Sequence, residues 1–242
     1  DKEKAAQLTR NNFNGLAAYE EKDETPFRFG SFTTMGELYV ETGLNELRMS
    51  NYRRILSLDS AMVVVQFDKD GVQYQRKYFI SYPDSVMVMK FTANQSGKQN
   101  LILSYCPNSE AKSNLRADGK DGLVYTGVLD NNGMKFAFRI KAIHKGGTLE
   151  AENDRLIVKG ADEVVFLLTA DTDYKMNFNP DFKDPKTYVG NDPEQTTRIM
   201  MDQAVQKGYD ELYRNHEADH TALFNRVRLQ LNPDISSPNL PT

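Results

Sequence analysis

The segment His216-Glu217-Ala218-Asp219-His220 has the residue types and spacing of a zinc peptidase motif. Two histidines four residues apart share one face of a helix and can bind zinc, while the glutamate between them activates water. A third protein ligand is required, yet the 22 residues after His220 contain no histidine and only one carboxylate, Asp234. Apolar residues share the histidine face, so we expect packed or interfacial histidines. Zinc catalysis remains the remote alternative, and no metal site is predicted.

Two carboxylates close the segment LLTADTDY, residues 167–174, at the end of a predicted strand. Asp171 and Asp173 are the local candidates for contact with a sugar, because paired carboxylates perform acid and base chemistry on glycosidic bonds. A solvated strand end is the alternative, since the sequence gives neither their separation nor their environment.

Two other pairs of aspartates have loop-like surroundings. Asp68 and Asp70 resemble a fragment of a calcium loop but lack its alternating ligands and terminal glutamate, so a hairpin turn is favoured. Asp118 and Asp121 in RADGKDG are able to hold a cation weakly, although any exposed loop uses the same residues.

The remaining reactive side chains indicate no catalytic centre. Cys106 lies in the strand-like run LILSYC and is expected to be a small buried thiol rather than a nucleophile. His144 follows a strand and has no evident partner in the sequence. A glycine-rich phosphate loop and a G-x-S-x-G elbow are both absent from the sequence, and no cofactor is predicted.

The composition restricts the classes of partner. The 242 residues carry a net charge of −4 with lysine and arginine scattered among acids, which disfavours nucleic acid and anionic membranes. No apolar run reaches the length of a bilayer span, and the charged start is not a signal peptide. The absence of tryptophan disfavours a free-standing sugar-binding module, although 12 tyrosines and 13 phenylalanines are present.

Short runs of β-branched and aromatic residues, separated by turn residues, predict strands through most of residues 33–172 and hence a sandwich or barrel. One hairpin joins 61–67 to 72–82, and a second joins 123–129 to 134–143, where Asn132 and Gly133 suit the positive φ of a primed turn. Alternation along the last of these strands predicts one solvated face. The run 85–93 is apolar on both faces and is expected to be central. Further strands are predicted at 37–41, 100–106, 148–152, 155–159 and 163–171.

Helices are predicted only near the ends, at about 3–19 and from Asp192 onwards. Asp192 is the predicted N-cap, with Pro193 at the first helical position and Gln195 completing a capping box. A helical period continues for about 33 residues, and Gly208 is able to interrupt it. Its apolar positions are predicted to be Ile199, Met200, Val205, Tyr209, Leu212, Leu223 and Val227. VRLQL at 227–231 is predicted to add a strand.

An ordered set of elements resembles the amino-terminal β-domain of glycoside hydrolase family 95, the α-L-fucosidase family. The set covers nearly the whole chain and comprises Gly36-Glu37-Leu38-Tyr39, Tyr52-Arg53-Arg54-Ile55-Leu56-Ser57-Leu58-Asp59, Gly71-Val72-Gln73-Tyr74-Gln75-Arg76, Ser81-Tyr82-Pro83-Asp84-Ser85-Val86, LLTADTDY and HTALFNRVRLQL at 220–231. The second element departs from the family pattern by a shift of one residue around Ile55. The order of the elements carries the resemblance, because no single element is diagnostic.

The resemblance implies a mainly β fold, a large antiparallel two-sheet β-sandwich of the supersandwich kind, with a short N-terminal helix and a long C-terminal connector helix. We expect a helix and loop over 1–30, the sandwich over 31–190, the connector helix and a terminal strand over 191–231, and a linker to a catalytic barrel over 232–242. In this family the chain would be a non-catalytic domain that supports an (α/α)6 barrel acting on α-L-fucosides or α-L-galactosides by inversion. No catalytic residue is therefore assigned to this chain.

The implied partners are that barrel, in the same parent chain, and fucosylated glycans through the parent enzyme. His220, Leu223, Phe224 and Val227 are the predicted interface with the barrel. The resemblance also implies export to the periplasm or the exterior. A stand-alone carbohydrate-binding or interaction module remains the alternative.

Overall fold

The computed structural model describes residues 2–12, 34–45, 47–107, 111–130, 132–152, 154–181, 184 and 186–227. These residues form two helices and twelve strands. The helices are α1 (Lys2–Asn12) and α2 (Pro193–Phe224). The strands are β1 (Gly36–Glu41), β2 (Met49–Ser57), β3 (Met62–Lys69), β4 (Val72–Ser81), β5 (Val86–Ala93), β6 (Gln99–Pro107), β7 (Ala111–Ala117), β8 (Gly122–Leu129), β9 (Lys135–Lys145), β10 (Thr148–Glu152), β11 (Arg155–Ala161) and β12 (Glu163–Thr172).

Two antiparallel sheets of unequal size form the sandwich. The smaller sheet has the strand order β1-β6-β11-β10, and the larger has the order β2-β3-β4-β5-β12-β9-β8-β7. The main core lies between them and includes Leu103, Tyr125, Ile140, Leu156 and Phe166. The predicted fold class, a mainly β two-sheet sandwich with one helix near each end, is confirmed.

Both predicted hairpins are present. Asp70 and Gly71 connect β3 to β4 with φ of 49° and 75°, the positive values that a primed two-residue turn requires. Asp70 is therefore a turn residue, as expected. β8 and β9 are joined by a longer loop in which the Gly133 amide donates to the Leu129 carbonyl and Gly133 has a φ of 73°.

The prediction of a solvated face on β9 is wrong. Phe136, Phe138 and Ile140 are buried against the smaller sheet, but Ala137 and Arg139 on the opposite face are also buried. The reason is α2, which lies along this outer face of the larger sheet and contacts β12, β9, β4 and β5. β5 is an interior strand between β4 and β12, as its apolar composition predicts.

α2 begins where the sequence predicts. Asp192 is its N-cap, although the carboxylate accepts from the amide of Glu194 rather than that of Gln195. The helix is kinked at Gly208, which has φ 71° and ψ 171°. Of the predicted apolar positions, Leu212 is buried, Val205 and Tyr209 pack against the same cluster, and Ile199 is half exposed. Thr197, Met201, Ala204 and His216 are also buried on the face that α2 presents to the sheet.

Residues 228–231 of the predicted terminal strand, the tail 232–242 and the whole segment 13–33 lie outside the described residues. Of the first predicted helix, 3–19, the structure describes the part within α1. None of the helices in the described ranges is long and apolar enough to cross a membrane.

Candidate interdomain interface

The two histidines of the peptidase-like segment hydrogen-bond to the turn between β2 and β3. His216 Nε2 lies 3.0 Å from the Ser60 carbonyl oxygen and 3.2 Å from that of Ala61. His220 Nε2 lies 2.7 Å from the Leu58 carbonyl oxygen. A ring nitrogen that donates to a carbonyl has no lone pair for a metal, so this arrangement gives the histidines a structural role.

The packing around His216 is that of a core residue. The ring is buried and stacks on Phe79 of β4, with centroids 4.9 Å apart. Glu217, the residue that would activate water in a peptidase, accepts a hydrogen bond from the Tyr213 hydroxyl. The described residues contain no group of three or more His, Cys, Asp or Glu side chains able to hold a metal.

Asp84 anchors α2 to the turn between β4 and β5. Its carboxylate accepts from the Ser81 hydroxyl at 2.6 Å, from Lys207 Nζ at 2.6 Å and from Asn215 Nδ2 at 3.1 Å. Lys207 and Asn215 lie on opposite sides of the Gly208 kink, so one carboxylate binds both halves of the helix. The Ser-x-Pro-Asp element singled out in the sequence is thus the attachment point of the helix.

The pKa shifts of Asp84 and Lys207 are both those expected for a charged pair. Burial alone would raise the pKa of Asp84, but the hydrogen bonds from Lys207, Ser81 and Asn215 outweigh it and lower that pKa below its ordinary value. The hydrogen bond to Asp84 raises the pKa of Lys207. Both groups are therefore held in their charged forms.

Where α2 meets these two turns, large apolar side chains are exposed. Leu58 belongs to the turn that binds His220, and Tyr82 belongs to the turn that contains Asp84. Phe224 stacks on His220 with centroids 5.1 Å apart, which brings the helix end beside Leu58. We define the apolar end surface as the exposed side chains of Leu58, Tyr82, Leu223, Phe224 and Val227, which are 41% to 84% exposed.

Leu223, Phe224 and Val227 of the predicted interface all belong to this surface, and His220 positions it. The sequence analysis did not predict that Leu58 and Tyr82 belong to it. The available signal was the pattern of leucines and isoleucines in RRILSLD, which is more apolar than the end of a strand at a solvated edge requires.

Asp171 and Asp173 lie at the opposite end of α2 and differ in their surroundings. Asp173 is buried, and its carboxylate accepts from the Lys135 amide at 2.9 Å, joining the ends of β12 and β9. Asp171 is half-buried and accepts from the Thr172 amide. Tyr174 and Phe178 follow with exposed rings. A contact with sugar at Asp171 or Asp173 stays a prediction.

The other candidate residues have structural partners. Asp68 accepts from Asn51 Nδ2 at 2.6 Å. Asp118 pairs with Arg139, and Asp121 pairs with Lys141 at 3.2 Å, so both carboxylates face protein cations.

Two predictions about single residues need correction or completion. Cys106 is exposed, and the expectation of a buried thiol is wrong. Leu101, Leu103 and Tyr105 point into the core, so alternation along β6 turns Cys106 outward. His144 has a partner, because its Nδ1 lies 2.8 Å from the carbonyl oxygen of Gly146.

Comparison with known proteins shows which proteins this chain is similar to. Residues 1–177 match the model of the glycosyl hydrolase family 65 N-terminal domain. The chain is 27% identical over 230 residues to a probable alpha-fucosidase A of Aspergillus niger, covering 90% of the chain and 28% of that protein. It is 26% identical over 226 residues to alpha-L-fucosidase 2 of Arabidopsis thaliana, covering 83% of the chain and 26% of that protein. The chain therefore spans about a quarter of the length of these relatives.

A solved structure supports the fold. The chain superimposes on a putative kojibiose phosphorylase from the human microbiome with a TM-score of 0.54, at 10% identity, over 78% of this chain and 27% of that one. The match of the family model extends over more than half of the chain and includes all twelve strands. The chain belongs to the family of glycosyl hydrolase N-terminal domains described for family 65.

Proposed function

We propose that this chain is the non-catalytic N-terminal domain of an α-L-fucosidase of the family 95 type, and that its apolar end surface packs against the catalytic barrel of the same polypeptide. The apolar end surface is the observation that carries this proposal. Contiguous apolar patches are rare on monomeric proteins and mark interaction sites. Both fucosidase relatives extend well beyond the region that this chain matches.

The position of the surface suits a connection between domains. It includes the last turn of α2 and therefore lies where the described part of the chain ends. His216, His220 and Asp84 fix this end of the helix to two turns of the larger sheet. A rigid helix end gives a defined orientation to the domain that follows.

The chemistry belongs to the barrel in this proposal. Inverting hydrolysis needs a general acid and a general base about 6.5–9.5 Å apart across the scissile bond. Asp173 is occupied by the Lys135 amide, and Asp118 and Asp121 are occupied by cations. The sandwich supports the barrel and contributes to the rim of its cleft, in an enzyme that is exported.

A complementation experiment tests the proposal. This chain and the remainder of its polypeptide are expressed separately and mixed, and the recovered hydrolysis of an aryl α-L-fucoside is measured. Phe224→Asp places a charge in the apolar end surface and is expected to reduce recovery at least tenfold, the effect of about 1.4 kcal/mol on association. Equal recovery of activity with wild type and Phe224→Asp would show that Phe224 does not belong to the interface.

Val128→Asp is the matched control. Val128 is nearly as exposed as Phe224 and lies in β8, next to the edge strand at the far side of the larger sheet. Lys112 and Lys135 flank it across the strands. The new carboxylate there is solvated and paired, so we expect full recovery. Loss of activity with both variants would indicate a general effect of added charge.

A second candidate function is a direct contact with glycan beside Asp171. Tyr174 and Phe178 follow Asp171 in the sequence and expose aromatic rings, and sugar sites use aromatic faces with a nearby polar group. A glycan array with this chain tests the contact. Saccharide-specific binding that is lost in Phe178→Ala would support it, and binding that survives this change would contradict it.

A further inference from the structure

Polar side chains from both sheets line a small cleft at one open end of the sandwich. The cleft lies near the β3–β4 turn, at the end of the larger sheet opposite the β2–β3 and β4–β5 turns that contribute to the apolar end surface. Arg76 of the larger sheet and Gln99 of the smaller sheet both line it. Other lining residues are Thr42, Tyr74, Thr92 and Lys98.

Gln99 is a polar residue in a row of core positions. Alternate residues of β6, namely Leu101, Leu103 and Tyr105, are buried in the main core, and Gln99 continues the same row. Gln99 is only 3% exposed, yet its Nε2 atom has no hydrogen-bond partner among the described residues. A buried amide donor without an acceptor is costly. Its presence in the lining of a cleft indicates that a ligand supplies the acceptor.

Arg76 brings a restrained cation to the same cleft. Its guanidinium lies over the ring of Phe67 at 5.1 Å and over that of Phe91 at 5.8 Å. Stacking restrains the plane of a guanidinium, whose N–H donors point outward within that plane. Within the described residues neither Arg76 nor Lys98 forms an ion pair, and those that line the cleft include no Asp or Glu.

A carboxylate matches the chemistry of this cleft. Its two oxygens accept hydrogen bonds in one plane, which suits a guanidinium edge beside an amide donor. Its negative charge balances a cleft that has cations and no acid in the described lining. A neutral hydroxyl group would accept the same hydrogen bonds but would leave the cations without a counter-charge. The cleft is small, so it takes the carboxylate group while the rest of the ligand lies at the mouth.

We propose that the cleft binds the carboxylate of an acidic sugar of the uronate class. Arg76 and Gln99 Nε2 are the donors, and Lys98 at the exposed rim is the second cation. The sugar as carrier rests on the proposed function, which places this chain in an enzyme that acts on glycans, whereas the carboxylate site rests on the cleft alone. The same chemistry is present in acidic residues of this chain outside the described ranges, namely Glu20, Glu21, Asp23, Glu24 and Glu46.

Titration of the isotope-labelled chain with sodium D-glucuronate, followed by NMR, tests the site. We expect saturable shifts of the Gln99 side-chain amide and of the backbone amides of residues 98–101. Acetate should compete for the same signals, and D-glucose, which has no carboxylate, should leave them unchanged. Absence of a saturable shift with glucuronate, or an equal response to glucose, would overturn the inference. Inorganic phosphate that binds at least tenfold more tightly than glucuronate would overturn the choice of a carboxylate.

Substitutions in the cleft separate binding from folding. Gln99→Leu continues the apolar row of β6, so we expect a thermal midpoint at or above that of the wild type, with at least tenfold weaker binding of glucuronate. Arg76→Met keeps an apolar stem over the two rings and is also expected to weaken binding at least tenfold. A folded Gln99→Leu protein that binds glucuronate like the wild type would contradict the site.

Lys98→Gln tests the contribution of the exposed rim cation. We expect it to weaken binding of glucuronate by about threefold at low ionic strength and less at high salt. Lys120→Gln is the matched control, because it removes the same charge at another exposed position, by β7, and should have no effect. Equal weakening in both variants would reduce the contribution of Lys98 to the net charge of the protein and contradict its place at the rim.

A neutralised variant distinguishes the two sources of carboxylate. Glu20, Glu21, Asp23, Glu24 and Glu46 are changed to the corresponding amides, and the glucuronate titration is repeated. Equal affinity in this variant and the wild type would support an external acidic sugar. Affinity at least tenfold higher in the variant would assign the cleft to the chain's own carboxylates and overturn the assignment to a sugar. The complementation test with Phe224→Asp concerns the opposite end of the sheet, so failure of the proposed interface and failure of this site are distinguishable.

Discussion

At the residue scale, buried polar side chains hold the long helix on the sheet. Asp84 receives three hydrogen bonds, two of them from α2, and His216 contributes a stacked ring and contacts with two carbonyls. Such groups are costly to bury unless they are satisfied, so each fixes one arrangement of helix and turn. The spacing of His216 and His220 matches a zinc motif, but it serves another purpose here. Residues four apart lie on one face of a helix, so both histidines reach the same turn.

Asp84→Asn is predicted to lower the free energy of unfolding by about 2 kcal/mol at neutral pH, because charge-assisted hydrogen bonds are lost. Since the pKa of Asp84 in the folded state lies below its ordinary value of 3.8, the stability that its charge contributes is present above about pH 4 and is lost as the pH falls through the lower folded value. Denaturant melts of both proteins from pH 7 to pH 2.5 should therefore converge at the acidic end. Asp202→Asn, an exposed position on the same helix, is the control. A difference in the free energy of unfolding that stays constant from pH 7 to pH 2.5 would show that Asp84 does not stabilise the fold through its charge.

His216→Ala is predicted to lower the free energy of unfolding by about 2 kcal/mol, because it creates a cavity against Phe79 and leaves the Ser60 and Ala61 carbonyls without this donor. His220→Ala, at a more exposed position, should cost less. Elemental analysis of protein purified without added zinc should show no metal in the wild type or either variant. Stoichiometric zinc in the wild type, lost in both variants, would restore the peptidase interpretation.

At the element scale, α2 acts as a third layer that covers the outer face of the larger sheet. It crosses from Arg116 of β7, which pairs with Glu194 at 2.6 Å, towards the β2–β3 turn, where His216 and His220 bind. A straight helix does not follow a twisted sheet over this length, and the kink at Gly208 redirects its second half. The helix is thus both part of the sandwich and the element whose end carries the apolar end surface.

Gly208→Ala is predicted to lower the free energy of unfolding by about 1–3 kcal/mol, although no neighbouring atom lies near the new methyl group. The cost is conformational, because φ 71° with ψ 171° is a region that side chains with a Cβ avoid. Gln206→Ala, two residues earlier and exposed, is expected to be neutral or slightly stabilising. A Gly208→Ala protein as stable as the wild type would mean that the kink is not required.

At the scale of the whole molecule, the sandwich is asymmetric. Eight strands face four, and α2 covers part of the outer face of the larger sheet. Exposed apolar side chains include those of the apolar end surface and Tyr52, Ile55 and Leu56 of β2. This distribution is that of a domain with neighbours, and it agrees with relatives about four times as long as the matched region.

This chain alone is predicted not to hydrolyse fucosyl substrates, because both carboxylate roles are assigned to the barrel by resemblance and Asp173 already accepts the Lys135 amide. Rigorously purified chain is assayed with an aryl α-L-fucoside beside Asp171→Asn and Asp173→Asn variants. Turnover above the uncatalysed rate that disappears in either variant would place a catalytic carboxylate in this domain.

Hairpins, caps and the fold class were predictable from the sequence because they depend on local chemistry. Asp70 and Gly71 accept the positive φ of a tight turn, Asp192 and Pro193 start a helix, and alternation with period two defines strands wherever one face is buried. The ordered elements around Tyr52, Tyr74 and Asp84 also indicated a glycoside hydrolase N-terminal domain, although the resemblance was to family 95 and the matching model is that of family 65. Signals of this kind lie within a few residues of one another along the chain.

Tertiary structure decided which faces are covered and which residues meet. The burial of Arg139 and the exposed position of Ile199 depend on where α2 lies on the larger sheet, and that placement is set by contacts between residues far apart in sequence. Lys207 reaches Asp84 across 123 positions, and His216 reaches Ser60 across 156. Sequence periodicity reports only on residues close together along the chain. The anchoring of the helix and the apolar end surface therefore could not be predicted from it and depend on how the two sheets and the helix pack.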